Sequence, residues 1–503
     1  MGADAMKHAA IPTLLSAMLA SAAADAGAAT AGSPDELAAA LRAATAGAVV
    51  QLADGDHATR QPILVEGLRG TAAAPIGLRA ETRGGAVITG AAGFHLRDCE
   101  HVVIEGFVFT HDGDRQAVLL ENCRSVRVTR NRFRLRERDK PRHMEHWVYA
   151  VGATSASNRF DRNLFERKAN SGSPLFVRGD DAALVCSQHD RIDRNHFRDV
   201  VDAEGENGHE TLRTGSNDLG ASGRGSHTLI EGNLFERCSG ESEIVSLKSS
   251  DNTVRNNTFI DCRGAICLRL GNRTVVSGNF MLASGARPGC GGVVIYGFDH
   301  RILNNYFLGL TGRKHDGALA LIPGTIDTPE TTAIGPKYDS LTTVPATRAL
   351  IAFNTWIDCA PLQPGFAREG RRIHAPRDCA FVDNLVVHTQ PHPWPLLQPG
   401  ETHRLRIEGN LGWTTSPATN APWTAGFRFA DPGLRREDGP QGLRRLTASS
   451  PAVDAAAAEP AAVKDDVFGR ARPGRPDIGA EEFGDAPPLR RPLTPSDVGP
   501  DAP

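Results

Sequence analysis

The stretch His227–Phe235, HTLIEGNLF, decides the fold, because its pattern returns along most of the chain. A short run of strand-forming residues leads to an asparagine, and an aromatic residue usually follows two places later. Asn272–Phe280, NRTVVSGNF, is a second copy. The asparagine recurs at Asn131, Asn163, Asn195, Asn233, Asn257, Asn279, Asn305, Asn354, Asn384 and Asn410.

The shortest steps between these asparagines are roughly 20–25 residues, which is typical of one coil of a solenoid built from short strands. We therefore predict an all-β chain that folds as a right-handed parallel β-helix, with longer steps marking inserted loops. Stacked asparagines would satisfy turn backbone groups, and stacked phenylalanines would fill the coil interior.

A short N-terminal capping helix is predicted at the start of the β-helix. Ser33 is a candidate N-cap, Pro34 suits the first helical turn, and Glu36 completes a capping box ahead of Leu37 and Leu41. Such a helix would cover the open sheet edge, which otherwise invites aggregation.

The ends of the chain differ in composition from the repeats. We interpret residues 1–26 as a signal peptide, because a lysine precedes an apolar run and then small residues. Residues 27–485 would form the β-helix domain, and the Pro- and Asp-rich residues 486–503 a disordered tail. The signal peptide implies a secreted or periplasmic protein. No later segment is apolar and long enough to span a membrane.

Charge and cysteine content exclude some classes of function. The formal net charge of -3 provides no basic field for nucleic acid, although a local basic cleft for an acidic ligand remains compatible with it. The 9 cysteines show no C-x-x-C pairs, which argues against a zinc site. Disulfides and buried free thiols are equal alternatives at this stage.

Charged residues concentrate at Glu241–Ser249, ESEIVSLKS, and at Leu268–Gly271, LRLG. Counted from the repeating asparagines, these stretches and Asn207 fall on the same side of neighbouring coils, which lie about 4.8 Å apart in a parallel β-helix. Glu241 and Glu243 with the Asn207 amide would offer hard oxygen ligands that suit Ca²⁺. A solvated acidic strand is the alternative.

Strand alternation places Ile266, Leu268 and Leu270 inward and Arg269 outward. It does not place both glutamates and Lys248 on one face, because Glu241 and Glu243 share the parity of Val245 and Leu247. We therefore predict a bend in this strand before Lys248. A cation beside a lysine disfavours the ammonium form, which is one way in which a lysine becomes a base.

The run NGHETLRTG (Asn207–Gly215), together with ESEIVSLKS and LRLG, resembles the motifs of polysaccharide lyase family 6, which contains alginate lyases and chondroitinase B. The specific motifs cover only Asn207–Gly271. The resemblance implies that Asn207, Glu241 and Glu243 bind Ca²⁺, that Lys248 abstracts the C5 proton of a uronate, and that Arg269 is the acid. Leu270 stands where family members often carry histidine.

Further residues are candidates for substrate binding or for supporting contacts. Glu210 and Arg213 match the first motif, and Tyr296 stands where the family often has an aromatic residue facing the sugar. An inserted loop begins with Arg313, Lys314 and His315, whose side chains suit the carboxylates of an anionic polysaccharide.

The residues and the resemblance together predict a lyase that cleaves a polyuronate, most simply alginate, by calcium-assisted β-elimination. The alternatives are a dermatan sulfate lyase with the same machinery and a non-catalytic polysaccharide-binding β-helix such as an adhesin. A β-helix glycoside hydrolase would need paired carboxylates without a catalytic lysine, so it fits poorly.

Overall fold

The computed structural model describes residues 28–113, 115–137, 144–201, 206–221, 223–285, 287–327, 342–365, 370–416, 425–439, 441–457 and 463–503. Three long sheets, named A, B and C here, run side by side along this part of the chain, and each coil contributes one strand to a sheet in turn. The predicted signal peptide lies outside the described residues.

Sheet A contains fourteen parallel strands: β1 (Ala29–Ala31), β2 (Val49–Leu52), β5 (Ile76–Ala80), β8 (Val102–Glu105), β11 (Arg127–Thr129), β14 (Arg159–Asp161), β18 (Arg191–Asp193), β21 (Leu229–Glu231), β24 (Thr253–Arg255), β27 (Val275–Ser277), β30 (Arg301–Leu303), β33 (Leu350–Ala352), β35 (Ala380–Val382) and β37 (Arg406–Glu408).

Sheet B also contains fourteen parallel strands: β3 (Gly55–Thr59), β6 (Ala86–Gly90), β9 (Val108–Phe109), β12 (Arg132–Phe133), β15 (Leu164–Glu166), β19 (His196–Arg198), β22 (Leu234–Glu236), β25 (Thr258–Ile260), β28 (Phe280–Leu282), β31 (Tyr306–Leu308), β34 (Thr355–Ile357), β36 (Leu385–His388), β38 (Asn410–Thr414) and β39 (Phe427–Phe429).

Sheet C carries the charged motifs. Its strands are β4 (Ile63–Glu66), β7 (Phe94–Arg97), β10 (Val118–Glu121), β13 (Val148–Val151), β16 (Leu175–Asp180), β20 (Leu212–Gly215), β23 (Glu243–Lys248), β26 (Gly264–Leu268), β29 (Cys290–Ile295) and β32 (Leu319–Leu321), and β17 (Val185–Cys186) pairs antiparallel with β16. A separate antiparallel ribbon joins β40 (Arg435–Arg436) and β41 (Arg444–Arg445). The predicted parallel β-helix is confirmed.

The repeating asparagines form one continuous ladder at the turn between sheets A and B. Each backbone N–H and each side-chain Nδ2 donates to the Oδ1 of the asparagine on the next coil. For Asn233 and Asn257 these distances are 2.9 Å and 3.0 Å. All ten asparagines take part. The ladder satisfies buried turn backbone, as predicted from the sequence.

The aromatic residues after these asparagines stack inside the coils. Phe133, Phe165, Phe197, Phe235 and Phe259 form a column in which neighbouring ring centroids lie 4.5–4.9 Å apart. This column belongs to the main hydrophobic core, which also takes the inward residues of all three sheets. One coil spacing therefore fixes the asparagine ladder, the ring column and the strand pairing together.

The N-terminal edge is covered by helix α1 (Pro34–Arg42), which packs against β1, β2 and β4. The Ser33 side chain accepts a hydrogen bond from the Glu36 N–H, and the Glu36 carboxylate accepts one from the Gly32 N–H. Leu37 and Leu41 are buried. A short second helix, α2 (Asn217–Ala221), and 3₁₀ turns at Lys314–Asp316 and Pro495–Asp497 are also present. No helix within the described residues has the length and apolarity needed to cross a membrane.

The C-terminal residues are ordered, so the prediction of a disordered tail over 486–503 was wrong. Val498 and Ala502 are each 3% exposed. The Arg130 guanidinium donates to the carbonyls of Pro500 and Ala502, and the Gly499 N–H donates to the Arg194 carbonyl. Composition suggested disorder because proline and aspartate are rare in cores, but this segment uses its backbone carbonyls to bind half-buried arginines of the coils.

The cysteines are free thiols and form no disulfides. All nine cysteines are buried and free. Several Sγ atoms lie at hydrogen-bond distance from backbone carbonyls of the preceding coil, as for Cys238 and the Phe197 carbonyl at 3.4 Å. These cysteines therefore act as small apolar residues of the core.

Candidate active site

A cleft of about 240 Å³ lies on the outer face of sheet C. It is bordered by strands from neighbouring coils and by the loop that carries the 3₁₀ turn Lys314–Asp316. Six of the candidate site residues line it, and Lys248, Glu210 and Arg213 are not among its lining residues. The lining consists of Glu206, Asn207, Glu241, Ser242, Glu243, Arg263, Cys267, Arg269, Tyr296, His315 and Arg372.

A β-bulge in β23 places Glu243 in this cleft. Glu243 pairs with Ala265, whereas Val245 pairs with the very next residue of β26, Ile266, so Ile244 is the extra residue. Ile244 and Val245 both enter the main core, which returns Glu243 to the outer face. The Ser246 hydroxyl donates to the Glu243 carboxylate at 2.5 Å, so the two side chains share that face. The predicted bend before Lys248 is confirmed.

Three carboxylates form a cluster at the cleft, which Glu241 and Glu243 line and Glu210 does not. One carboxylate oxygen from each of Glu210, Glu241 and Glu243 lies within 4.8 Å of the others. The Gly208 N–H donates to Glu241 at 3.1 Å, and Asn207 lines the cleft beside it. Glu210 is only 2% exposed, which the sequence did not indicate. We call Glu210, Glu241 and Glu243 the carboxylate cluster.

The carboxylate cluster has the chemistry of a hard-cation site. Buried oxygens Glu241 Oε1 and Glu210 Oε2 have no hydrogen-bond partner among the described residues. A buried carboxylate oxygen without a partner is costly unless a cation or water satisfies it. An all-oxygen set with no thiolate or imidazole suits Ca²⁺ better than a transition metal. The residues therefore fit the cation implied by the motif resemblance.

The electrostatics of the carboxylate cluster also favour a bound cation. Burial, followed by repulsion from Glu210 and Glu243, raises the pKa of Glu241 to about 8. Burial also acts to raise the pKa of Glu210, but the charges of Lys248 and Arg213 outweigh it and hold that pKa below its ordinary value. Negative charge at Glu241 is thus left without sufficient compensation by the protein itself.

Lys248 lies at the end of β23, next to the carboxylate cluster. Its Nζ is 3.2 Å from Glu210 Oε1, and Arg213 Nη1 lies 3.6 Å from the same oxygen. Lys248 is 9% exposed, so the proposed base is largely shielded from solvent. Gly215 pairs with Lys248 across the strands, and a Cβ on Gly215 would lie 2.0 Å from the Lys248 carbonyl oxygen, which explains the glycine in the motif.

Arg269 lies directly after β26, the strand that pairs with β23 in sheet C. Its Nε lies 3.3 Å from Glu243 Oε1, and its guanidinium lies over the Tyr296 ring at 5.1 Å. The Tyr296 hydroxyl and His315 Nδ1 are 3.1 Å apart, so His315 orients the ring through its hydroxyl. Outward placement of Arg269 agrees with the strand alternation, while Ile266 and Leu268 lie in the main core.

The remaining predicted residues divide into those inside and those outside the cleft. Tyr296 and His315 line it, whereas Arg313 and Lys314 are exposed on the same loop and are not among its lining residues. Arg313 packs over the Trp394 ring at 5.6 Å. Arg213 lies over the Phe176 ring at 4.6 Å, beneath Glu210. Leu270, beyond the end of β26, is buried.

Sequence reasoning missed three charged lining residues: Glu206, Arg263 and Arg372. Arg263 precedes β26 in the turn after a sheet B strand, so its offset from the repeating asparagine could have placed it on this side. Arg372 lies in a long insertion between two asparagines, where the repeat gives no anchor. Arg372 Nη1 is 3.4 Å from His315 Nε2.

The chain is similar to proteins of a known family. Residues 31–389 match the family model described as Chondroitinase B. No curated protein sequence matches the chain.

Solved structures with the same architecture are similar as well. The PL6 family alginate lyase AlyGC is 29% identical with a TM-score of 0.71, and the alignment covers 84% of this chain and 56% of that chain. This chain thus spans little more than half the length of AlyGC. A mannuronic acid specific family 6 lyase from human gut microbiota is 23% identical, with a TM-score of 0.64 and coverage of 80% and 91%. A PL6 alginate lyase in complex with a trisaccharide is 20% identical, with a TM-score of 0.63 and coverage of 84% and 91%. The last two likenesses concern the fold.

Proposed function

This chain belongs to the chondroitinase B family, whose model matches residues 31–389, and from that premise we propose that it is a lyase that cleaves alginate by calcium-assisted β-elimination. One observation carries the proposal. Lys248 and Arg269 lie 3.2 Å and 3.3 Å from Glu210 and Glu243, so a base and an acid flank one carboxylate cluster. The 29% identity to an alginate lyase supports alginate as the substrate.

The reaction needs a base, a proton donor and a positive charge next to the substrate carboxylate. In β-elimination a base removes the C5 proton of a uronate, the C4–O bond breaks, a C4=C5 double bond forms and the leaving oxygen is protonated. The C5 proton is weakly acidic because it is next to a carboxylate that already carries negative charge. Ca²⁺ held by Asn207, Glu241 and Glu243 would supply positive charge that offsets the substrate carboxylate.

In this proposal Lys248 accepts the C5 proton as the neutral amine, which forms when the ammonium paired with Glu210 releases a proton to solvent. Its low exposure keeps competing water away, and Glu210 fixes the position of its amine beside the carboxylate cluster. Arg269 acts at the leaving oxygen: its guanidinium donates a hydrogen bond to that oxygen and supplies the proton that the oxygen takes up as the C4–O bond breaks. Glu243 and Tyr296 hold the guanidinium in place. Arg213 supports Glu210.

A second candidate substrate is dermatan sulfate, which the family name favours. The same base and acid could serve its uronate, and the extra sulfate groups would need further cations. A polysaccharide-binding protein without catalysis is the remaining alternative, and it would leave the pairing of Lys248 with Glu210 without a chemical role. Export to the periplasm or the medium is part of the proposal, since such polymers lie outside the cell.

The test is an assay on separate polymers: alginate, its mannuronate and guluronate blocks, and dermatan sulfate. Ultraviolet absorbance follows the unsaturated product. We expect product from alginate and from at least one of its blocks. Product from dermatan sulfate alone would replace alginate as the substrate, and binding of a polymer without any unsaturated product would contradict the lyase.

A further inference from the structure

A second cavity, of about 370 Å³, lies beside the cleft at the turn between sheets B and C. Its walls include Asp199, Val201, Arg237, Ser239, Arg263 and Arg287, and we call it the arginine cavity. Arg263 lines both the arginine cavity and the cleft, so the two hollows adjoin. Its size falls within the range of small-ligand sites.

The three arginines come from three consecutive coils. Arg237 follows β22, Arg263 follows β25 and Arg287 follows β28, each in the turn that leads into sheet C. Coils stack about 4.8 Å apart, so the guanidinium groups form a positive row along the helix axis. This row lies on a chain whose formal net charge is -3, so it is a local feature.

The positive charge of the cavity is only partly compensated. Arg237 pairs with Asp199, with Nε 2.7 Å from Oδ1. Arg287 instead donates from Nη1 to the Ser239 hydroxyl at 2.8 Å, and among the described residues no carboxylate lies within ion-pair distance of it. A hydroxyl orients a guanidinium without neutralising it, so Arg287 keeps its charge for a ligand.

The cavity is built to hold these groups in place. Ser239 is 2% exposed, and its Oγ also accepts from the Arg263 N–H at 3.4 Å, which joins three coils through one hydroxyl. Gly289, at φ +77°, leaves room for the Arg263 side chain, because a Cβ there would lie 3.1 Å from Arg263 Cγ. Val201, 48% exposed, adds an apolar surface beside the row.

We propose that the arginine cavity binds the carboxylate of a uronate unit farther along the same polysaccharide chain than the unit held in the cleft. A polyuronate presents one carboxylate per sugar, so a chain seated at the carboxylate cluster brings further anions to adjoining surfaces. Arg287 would bind that carboxylate, and Val201 would contact the apolar face of the sugar ring. This inference rests on the proposed function.

The test measures kinetics of Arg287→Gln on oligosaccharides of increasing length from whichever polymer the wild type cleaves. We expect KM for long oligosaccharides to rise about three- to tenfold while kcat stays unchanged. The variant loses one charge-assisted contact, and that contact has the same strength in the bound substrate and in the transition state. The shortest cleavable oligosaccharide should show no change. Arg287→Lys should recover part of the loss, and added salt should reduce the difference between variants.

A matched control removes the same charge elsewhere. Arg301→Gln changes an exposed arginine on β30 in sheet A, so its kinetics should equal those of the wild type at every length. Calorimetric titration of a long oligosaccharide into Lys248→Ala, with and without Arg287→Gln, measures binding without turnover, and the double variant should bind about three- to tenfold more weakly.

The two proposals fail in different ways. A wild-type protein that forms no unsaturated product from any polyuronate contradicts the proposed function. A wild-type protein that does form product, together with an Arg287→Gln variant whose KM and calorimetric affinity match wild type at every length, overturns the arginine cavity as a binding site.

Discussion

At the scale of single residues, Lys248 forms an ion pair with Glu210, whose carboxylate is even more buried than the lysine. A change at this pair should therefore affect both catalysis and the stability of the fold. The Lys248 side chain is 11% exposed and that of Glu210 is 2% exposed. A variant that removes the lysine therefore leaves a buried carboxylate with Arg213 as its remaining cationic neighbour, at 3.6 Å. Loss of activity in such a variant must be separated from loss of fold.

Lys248→Ala should lower kcat/KM by at least about 100-fold, because a positioned general base contributes that much. It should also lower the free energy of unfolding by about 1–3 kcal/mol, since Glu210 loses its nearest partner. Glu210→Gln in the same background should restore part of the stability and none of the activity. Urea denaturation and the absorbance assay measure the two effects. Lys464→Ala, at an exposed lysine far along the chain, is the control, and wild-type turnover by Lys248→Ala would contradict the assignment.

Chelation should remove activity, and Ca²⁺ should restore it better than Mg²⁺, because Ca²⁺ accepts an irregular set of oxygen ligands. Ca²⁺ should also raise the melting temperature of the chelated protein, since it binds only the folded carboxylate cluster. Glu241→Gln should abolish this rise by removing a ligand charge. Full activity in excess chelator, with no metal retained by elemental analysis, would rule out the metal.

At the scale of the elements, side-chain ladders between coils determine how the strands stack. A shorter second ladder lies at the turn between sheets C and A, where the Val126 N–H donates to Asn158 Oδ1 and the Asn158 N–H donates to Asp190 Oδ1 at 2.8 Å. Asp190 thus occupies a position that suits asparagine, and it is fully buried. Burial, only partly opposed by hydrogen bonds from Ser187 and Asn158, raises its pKa to about 7.

Asp190→Asn should remove one source of pH-dependent instability. The folded pKa of Asp190, about 7, lies above its ordinary value of 3.8, so the folded protein holds a proton that the unfolded chain has lost. This group's contribution to stability is therefore full below about pH 4, falls by up to about 1.4 kcal/mol per pH unit, and is constant above about pH 7. In urea denaturation, the stability of Asp190→Asn relative to wild type should increase from about pH 5 to about pH 7 and then level off. A difference that does not change with pH would contradict the shifted titration.

At the scale of the whole molecule, the C-terminal segment ties distant coils together. The Arg490 guanidinium donates to Asn256 Oδ1, the Leu493 N–H donates to the Thr258 hydroxyl, and the last residues reach Arg130 and Arg194 on earlier coils. A solenoid otherwise has contacts only between neighbouring coils, so a strap across several of them makes their unfolding more cooperative.

Removal of residues 486–503 should lower the melting temperature by about 2–8 °C, because several half-buried hydrogen bonds between the segment and the coils are lost. Activity at moderate temperature should persist, since the segment lies away from sheet C. Scanning calorimetry of the truncated and full chains provides the measurement. An unchanged melting temperature, with rapid proteolysis of the segment in the intact protein, would restore the view that it is disordered.

The sequence by itself determined the β-helix, the asparagine ladder, the capping helix and the neighbourhood of Glu241, Glu243, Lys248 and Arg269. Each of these rests on a local period or on a fixed offset from the repeating asparagine, and stacked coils convert equal offsets into spatial proximity. Even the bend in β23 could be predicted, because alternation alone could not place its acids and its lysine on one face.

Only the tertiary structure decided the rest. Four features depend on insertions or on contacts between coils far apart in sequence. They are the burial of Glu210 and Lys248, the contact of His315 with Arg372, the row of arginines beside the cleft and the ordered C-terminal segment. Insertions of unequal length break the repeat, so offsets no longer report position. Composition cannot show whether a polar segment finds partners, because those partners come together only when the coils stack.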